Sequence, residues 1–457
     1  MEQTKEKHDQ YYEMAHAPVG RVISKLAVPT IISMLVTSIY NMADTFFVSQ
    51  LGTSASGAVG IIFSAMAIIQ ALSFMIGIGS GNYIARLIGA GNRELAEKLA
   101  SIGVFTGFGM GPVITVLGTA NIHVLVMMLG STVTIAPYAE AYASYILLAT
   151  PFMMTSFIMN NILRFQGKAL FAMVGITTGG ILNIVLDPVF IFGMHMGVRG
   201  AALATVISQA VSTVWVLAFL TGKKTRLKIR FSTMGLNPSI ILPCVALGAA
   251  TFVMQSSESV ISVCFNSSLL KYGGDIAVGA MTILTSAMQF AMLPLQGLGQ
   301  GAQPIISYNY GARNAERVKG AFKLLLKVSL TYSVLIWLFV ELVPQAFAGM
   351  FTADAELLAF TSRALRIYMG CIFMFGIQIA CQMTFTSIGF AKESIIVAVT
   401  RKFILLLPLI YILPHVLVSD QTMAVYTAEP VADFLAVSFT LLLFRRQFKK
   451  ALSTLEQ

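Results

Sequence analysis

The chain has 457 residues, of which 56% are hydrophobic and only 11% are charged, and its mean hydropathy is +0.80. These values lie far outside the range of soluble globular proteins and exclude a soluble enzyme or binding module. In so apolar a chain, the net charge of +10 indicates basic cytoplasmic loops rather than a nucleic-acid surface.

Twelve apolar segments follow one another along the chain, and each is long enough to cross a hydrocarbon core of ~30 Å as a helix. We number them as spans 1 to 12: residues 22–48, 55–82, 97–118, 137–163, 169–192, 199–221, 240–270, 276–305, 318–341, 357–386, 392–413 and 424–444. They lack the polar–apolar alternation of transmembrane strands. The sequence therefore predicts an all-α polytopic membrane protein.

The basic residues predict how the spans are oriented. If both termini are cytoplasmic, 26 of the 30 Lys and Arg residues fall on the cytoplasmic side, as the positive-inside rule requires. The polar segment 1–20 contains no apolar core of a signal peptide, and the tail 447–457 is basic at its start. We expect a plasma-membrane protein with both of these segments in the cytoplasm.

Spans 1–6 and spans 7–12 repeat each other when the chain is aligned on itself with a shift of 222 residues. The matches include Gly52 with Gly274, Ala55 with Ala277, Gly57 with Gly279, and "GAGNRE" (89–94) with "GARNAE" (311–316). Because each repeat has an even number of helices, both enter the membrane in the same direction. The predicted fold is therefore two pseudo-symmetric six-helix lobes related by an axis along the membrane normal.

The repeat divides the chain into an amino-terminal lobe (21–221), a basic cytoplasmic linker (222–239) and a carboxy-terminal lobe (240–446). Two lobes that face each other create a central cavity, and secondary transporters place their substrates at such an interface. The five histidines are scattered, and the four cysteines have neither CxxC spacing nor neighbouring histidines, so we predict no catalytic centre and no cofactor.

A carboxylate, Asp44, lies inside span 1. It ends a stripe of polar residues spaced by three or four positions, which places them on one face of a helix: Ser33, Thr37, Tyr40 and Asp44. The shift of 222 residues converts this stripe into Gln255, Ser259, Ser262 and Asn266 on span 7. Both lobes therefore present a polar face, but only the amino-terminal one carries an acid at this level.

A second carboxylate, Asp187, lies in span 5, one turn after Asn183 and just before Pro188. Proline removes a backbone donor and tends to open the helix at that point. Asp44 and Asp187 each follow a cytoplasmic lysine by 19 residues, so they share one depth in the membrane. Span 6 runs in the opposite direction and brings Thr205 to about the same level.

We expect these four side chains to form a cation site. Two carboxylates in apolar surroundings are stable when they hold a proton or a cation. Carboxylate, amide and hydroxyl oxygens suit Na⁺, whereas H⁺ needs only the acids, so both ions remain possible. The alternative, that Asp44 and Asp187 are hydrogen-bonded structural groups, leaves their equal depth unexplained.

The assembled motifs resemble the multidrug and toxic compound extrusion (MATE) family, especially bacterial and archaeal members with an acid pair in the amino-terminal lobe. The resemblance covers about 21–446 and is carried by "YNMADTFFVSQLG" (40–52), "GSGNYIARLIGAGN" (79–92), "LNIVLDPVFIFG" (182–193) and "GAALATVIS" (200–208). It implies a secondary active antiporter that exports organic, often cationic, compounds in exchange for Na⁺ or H⁺. It also implies that Asp44, Asn183, Asp187 and Thr205 form the coupling-ion site.

Other residues are candidates for lining the substrate cavity, because polar and thioether groups adapt to varied ligands. They are Tyr40, Gln255, Glu258, Ser259, Asn266, Gln289, Gln296, Met374 and Gln378. We interpret Glu258 as the remaining intramembrane carboxylate of its lobe, and Arg401 as a charge that snorkels to the cytoplasmic surface. Expected partners are small organic molecules, the coupling cation and membrane lipids, but no nucleic acid, and the protein is expected to be a monomer.

The alternative function is a flippase for lipid-linked oligosaccharides, which can have the same doubled helical architecture. A cavity that handles pyrophosphate should contain several intramembrane Arg or Lys residues. This sequence offers little beyond Arg401, so the antiporter is favoured.

Overall fold

A computed structural model describes residues 13–222, 225, 227–229 and 237–456, and all regular secondary structure within these residues is helical. Most of the predicted segment 1–20, much of the predicted linker 222–239 and the last residue of the predicted tail lie outside the described residues. The described part of the tail continues the last helix.

Among the described residues, the amino-terminal lobe contains the helices α1 Val19–Ser49, α2 Thr53–Gly89, α3 Arg93–Ala120, α4 Ile122–Met128, α5 Ala136–Phe165, α6 Ala169–Pro188 and α7 Val198–Thr221. The short α4 connects two long helices, and the other six correspond to spans 1–6. Helix α6 continues into a π-helical segment, Val189–Gly193, immediately after Pro188. The predicted opening of the helix at this proline is confirmed.

The carboxy-terminal lobe begins with a stretch of 74 residues, Pro238–Gly311, broken at Gly274, whose backbone is non-helical (φ 66°, ψ −160°). We call its two parts α8 (238–273) and α9 (275–311). The remaining helices are α10 Ala315–Leu342, α11 Pro344–Ala348, α12 Ala355–Tyr368, α13 Phe375–Ile388, α14 Ala391–Val399, α15 Leu407–Val416 and α16 Gln421–Glu456. A π-helical segment, Thr400–Leu406, joins α14 to α15.

These helices supply twelve membrane spans. Within the described residues, ten helical stretches are long and apolar enough to cross a bilayer, and α12 with α13, bent by 44°, form an eleventh span. One of the ten is the stretch of 74 residues, which at ~1.5 Å per residue is more than three times the thickness of a hydrocarbon core. Its two halves count separately, so the twelve predicted spans are confirmed.

The internal repeat is visible in the backbone. Gly52 and Gly274 both have positive φ angles, and so do Gly167 and Gly389, which again differ by 222 positions. Asn92 and its equivalent Asn314 each cap the next helix, accepting a hydrogen bond from the backbone N–H three residues later. The repeat in the sequence therefore reflects a repeat in the structure.

The two lobes touch at one end of the bundle, where small residues allow backbones to approach closely. Gly89 of α2 lies against the backbone of Tyr308, and its equivalent Gly311 of α9 lies against the backbone of Arg86. We call this end of the bundle, where Arg86 and Arg164 lie, the basic end. Positions 86 and 308 also differ by 222, so the contact is symmetric and a side chain larger than hydrogen would overlap the facing helix.

Polar contacts reinforce the basic end. The Arg164 guanidinium donates to Gln300 Oε1 at 2.6 Å, and Ser307 Oγ donates to Asn82 Oδ1 at 2.7 Å. Each bond joins one lobe to the other, so the lobes are held together at this end. The opposite end contains an open cleft, described below.

Candidate cation site and central cleft

Asp44 lies on α1 with its side chain directed into the amino-terminal lobe. The residue is only 3% exposed, and its Oδ2 atom accepts a hydrogen bond of 3.2 Å from the Tyr142 hydroxyl on α5. Its Oδ1 atom is buried and has no hydrogen-bond partner among the described residues. A buried acceptor without a partner is unusual in native proteins and marks a place where an ion or a proton can bind.

Asp187 is fully buried on α6, beside Asn183 and Thr205. The Asn183 amide donates to Asp187 Oδ1 at 3.4 Å and to Thr205 Oγ1 at 3.3 Å. The Thr205 hydroxyl donates to the backbone carbonyl of Ala201 at 3.2 Å. The structure therefore brings together the three predicted residues from α6 and α7.

The two carboxylates also come together. Asp187 interacts electrostatically with Asp44, and Tyr142 interacts with both acids and with the Thr205 hydroxyl. Besides Asp44 Oδ1, the buried oxygens Asp187 Oδ2 and Asn183 Oδ1 lack partners within the described chain. Two carboxylate oxygens and one amide oxygen thus remain available in one buried site, which suits a hard cation or protons.

Tyr142 was missed by the sequence analysis. It lies in an apolar span, and the nearby Glu140 is two positions away and therefore on a different face of the helix, so no polar periodicity singles it out. The repeat offers one signal, because its equivalent in the carboxy-terminal lobe is Ala364. The lobe that contains the acid pair thus has a large tyrosine at a position where the other lobe has alanine.

A polar cavity adjoins the cation site within the amino-terminal lobe. Its volume is only about 20 Å³, room for roughly one water molecule, and its lining includes Tyr40, Asn160, Asn183, Thr205 and Gln209. Tyr40 also interacts with the Gln209 side chain. Tyr40 was predicted to line the substrate cavity, and it lines this pocket inside the amino-terminal lobe.

A second, wider cleft of about 490 Å³ lies between the lobes, away from the basic end. Its lining comes from α1, α2 and α9: Ser38, Asn41, Met42, Thr45, Phe46, Ser49, Phe63 and Gln289. Of the residues predicted to line the substrate cavity, Gln289 is the one in the lining of this cleft. The cleft separates the lobes at the end opposite their closed contact.

The other predicted cavity residues differ in exposure. Exposed residues are Gln296, Glu258 and Ser259, half-buried residues are Gln255, Asn266 and Met374, and Gln378 is buried. Gln378 is only 1% exposed, so its side chain does not reach a cavity surface in this conformation.

Arg401 does not snorkel, and that prediction is wrong. The residue is 5% exposed, and its guanidinium bonds to Glu429 Oε1 at 3.0 Å and to Asp433 Oδ1 at 2.8 Å. It also lies 4.5 Å from the ring centre of Phe375, a cation–π distance. Two carboxylates on α16 neutralise the charge locally, so the side chain has no need to reach water.

The interpretation of Glu258 as the remaining acid of its lobe is also wrong, because Glu429 and Asp433 lie buried in span 12. The missed signal is "EPVAD" (429–433), two acids four positions apart inside an apolar segment and therefore on one helix face. Glu258 itself pairs with Lys402, whose Nζ atom lies 2.7 Å from Glu258 Oε1. The carboxy-terminal lobe thus contains a five-membered charge network: Glu258, Arg401, Lys402, Glu429 and Asp433.

Comparison with known proteins agrees with this architecture. A multidrug export protein, MepA, from Staphylococcus saprophyticus is 24% identical over 408 residues, covering 89% of this chain and 90% of the relative. The protein of the same name from Staphylococcus haemolyticus is 24% identical over 434 residues, covering 94% of this chain and 95% of the relative.

Solved structures are similar over almost the whole chain. A crystal structure of MATE in the bent conformation is 25% identical, with a TM-score of 0.92, and the match covers 98% of this chain and 99% of that one. A MOP superfamily transporter from Pyrococcus furiosus, described as having a binding pocket of reversed polarity, is 26% identical, with a TM-score of 0.89, covering 97% and 98%.

The family model MatE matches residues 29–189 and 249–412, one segment in each lobe. Together the two segments span well over half of the chain, and the predicted resemblance to the MATE family is confirmed. The chain belongs to the MatE family, the MATE membrane transporters, and is not an enzyme.

Proposed function

We propose that this protein is a secondary active antiporter that exports organic, often cationic, compounds across the plasma membrane in exchange for Na⁺ or H⁺. The observation that carries the proposal is the buried site of Asp44, Asn183 and Asp187, with three oxygens that lack partners among the described residues. An intramembrane acid pair of this kind is stable when occupied by a cation or a proton. The similarity to multidrug export proteins supplies the expected substrate class.

The closed basic end and the open cleft support an alternating-access mechanism. We place the basic end in the cytoplasm, because it carries Arg86 and Arg164 and basic loops are retained on that side. Both termini are then cytoplasmic. In this conformation the cleft opens outward, as required for release of substrate and entry of the coupling ion.

Ion binding acts on α1, which carries Asp44 to the cation site and also lines the central cleft through Met42 and Thr45. A cation at Asp44 and Asp187 repositions α1 and disfavours the outward-open state with bound substrate. Reciprocity then requires the substrate to weaken ion binding by the same factor. Each cation that enters down a potential of 100 mV gains ~2.3 kcal/mol, which drives export of the substrate.

The flippase alternative is less well supported. Pyrophosphate recognition would need intramembrane cations that are free to bind phosphate, but Arg401 and Lys402 are both paired with carboxylates. The protein is proposed to work as a monomer surrounded by lipid, because each half of the cation site comes from the same chain.

The test is transport by the purified protein in liposomes. Ethidium export should follow an imposed Na⁺ or H⁺ gradient in the wild type and lose this dependence in Asp44→Asn. Asp275→Asn is the matched control, because Asp275 is exposed next to the α8–α9 break. Export that ignores both gradients in the wild type would refute the proposal.

A further inference from the structure

The charge network of the carboxy-terminal lobe contains one member that is accessible. The Glu258 side chain is 60% exposed, whereas the side chains of Arg401, Lys402, Glu429 and Asp433 are at most 7% exposed. An external ligand can therefore reach the network only at Glu258.

Glu258 lies close to charged and aromatic groups of its own lobe, because it interacts electrostatically with Lys402 and Arg401 and with Tyr368 of α12. A charged side chain exposed to hydrocarbon would be strongly disfavoured. We therefore infer that the exposed part of Glu258 faces water rather than lipid. Its neighbours Gln255 and Ser259 continue the same polar face of α8.

The network contains more acid than base. Three carboxylates face two cations, and Arg401 bonds to both Glu429 and Asp433. Lys402 bonds to Glu258 and also interacts electrostatically with Glu429. Lys402 therefore has a second carboxylate available if it leaves Glu258, and its charge can remain compensated inside the lobe.

The π-helical segment Thr400–Leu406 makes this arrangement possible. Consecutive residues project in different directions from a helix, so Arg401 faces the acids of α16 while Lys402 reaches Glu258 on α8. π-Helical turns inside α-helices occur frequently at functional sites. This one directs two cations into the interior of the lobe.

We propose that Glu258 binds the positively charged nitrogen of an organic cation, and that Lys402 is a built-in competitor for the same carboxylate. In the absence of substrate, the Lys402 ammonium occupies Glu258. When a cationic substrate arrives, it takes Glu258 and Lys402 moves to Glu429. The inference deepens the proposed export function, on which it rests, by assigning cation selectivity to Lys402 and Glu429, neither of which can reach the substrate.

The test is equilibrium binding of ethidium to purified protein in detergent, followed by fluorescence polarisation without any ion gradient. Lys402→Met removes the competitor and should tighten ethidium binding roughly ten-fold, a typical coupling between two sites. The matched variant Lys402→Arg keeps the charge and should stay near the wild-type affinity. Glu258→Gln should weaken binding roughly ten-fold, and adding Lys402→Met to it should restore nothing.

A second variant tests the relay without disturbing the exposed carboxylate. Glu429→Gln removes the second partner of Lys402 and should weaken ethidium binding, although Glu429 is buried and cannot contact the dye. Thermal unfolding and gel filtration identify the variants that fold. If Lys402→Met does not fold, Glu429→Gln alone decides.

Unchanged or weaker binding to folded Lys402→Met, or unchanged binding to folded Glu429→Gln, would overturn the proposal. Such a result is distinct from failure of the export function, because binding is measured without a gradient. Gradient-driven export that persists in the Lys402 variants while ethidium affinity stays constant would reject the competitor and keep the antiporter. Tighter ethidium binding to Lys402→Met, without any export by the wild type, would support the competitor and reject the antiporter.

Discussion

The amino-terminal lobe holds Asp44 and Asp187 together with three partnerless oxygens in the described chain, whereas the carboxy-terminal lobe pairs three carboxylates with Arg401 and Lys402. The repeat gives the two lobes the same helices but not the same side chains. Arg401 and Lys402 correspond to Gly179 and Gly180, which allow neighbouring helices to approach. The acids of the amino-terminal lobe therefore have no basic side chain beside them among the described residues, whereas the carboxy-terminal lobe supplies two cations for its three acids.

This difference shows what a pseudo-symmetric fold does and does not determine. The repeat fixes helix positions, breaks and caps, while the charge within each lobe is set by a few substitutions. At the position of Asp44 the carboxy-terminal lobe has Asn266, and at the position of Tyr142 it has Ala364. In the functions proposed above, ion coupling and recognition of the substrate's charge belong to different lobes of one architecture.

The largest expected effect is on the lobe whose charges are paired internally. Arg401→Met leaves Glu429 and Asp433 buried without their cation, which should destabilise the protein by about 3–5 kcal/mol. The midpoint of thermal unfolding in detergent measures this loss. Arg363→Met is the control, because its ion pair with Asp420 is exposed and contributes at most about 1 kcal/mol. Similar midpoints for both variants would show that the buried network does not stabilise the lobe.

The opposite behaviour is expected in the lobe with unpaired acids. There, the coupling ion should stabilise the wild type by about 2.7 kcal/mol at a hundred times its dissociation constant, and Asp187→Asn should abolish this stabilisation. Unfolding is followed while Na⁺ is raised at fixed pH and, separately, while pH is lowered without Na⁺. Glu258→Gln should respond as the wild type does. An Asp187→Asn protein that the ion still stabilises would contradict the assignment of the site to this lobe.

The fold could be predicted from the sequence more completely than the charges. Hydropathy and the shift of 222 residues predicted twelve spans and two lobes, because burial in lipid imposes long apolar helices on every span. The acid pair could be inferred, because equal depth follows from counting residues along straight helices. The pairing of Arg401 with Glu429 and Asp433 could not be predicted, because it depends on which helices are neighbours. The hydropathy of a single span does not contain that information.

The contact between the lobes provides a symmetric test. Gly89→Ala and Gly311→Ala each add a methyl group that overlaps the facing backbone, so each should weaken the closed basic end by about 1–3 kcal/mol. Maleimide labelling of Ser307→Cys, in a background without the four native cysteines, should accelerate in both. Gly60→Ala and Gly320→Ala are matched controls, because nothing lies within 4 Å of the added carbon. Acceleration in only one of the two variants would show that the lobes do not contribute equally to closure.

The smallest expected effect comes from the hydroxyl that contacts the acid pair. Tyr142→Phe removes the hydrogen bond to Asp44 Oδ2 and keeps the ring, at a cost of about 1.5 kcal/mol. Because the hydroxyl holds the Asp44 carboxylate in place, the concentration of coupling ion that gives half-maximal ethidium export should rise roughly ten-fold. Tyr138→Phe lies on the same helix with an exposed side chain and should leave this concentration unchanged. If the two variants behave alike, Tyr142 fills space in the lobe, and the asymmetry between Tyr142 and Ala364 is one of packing rather than of ion binding.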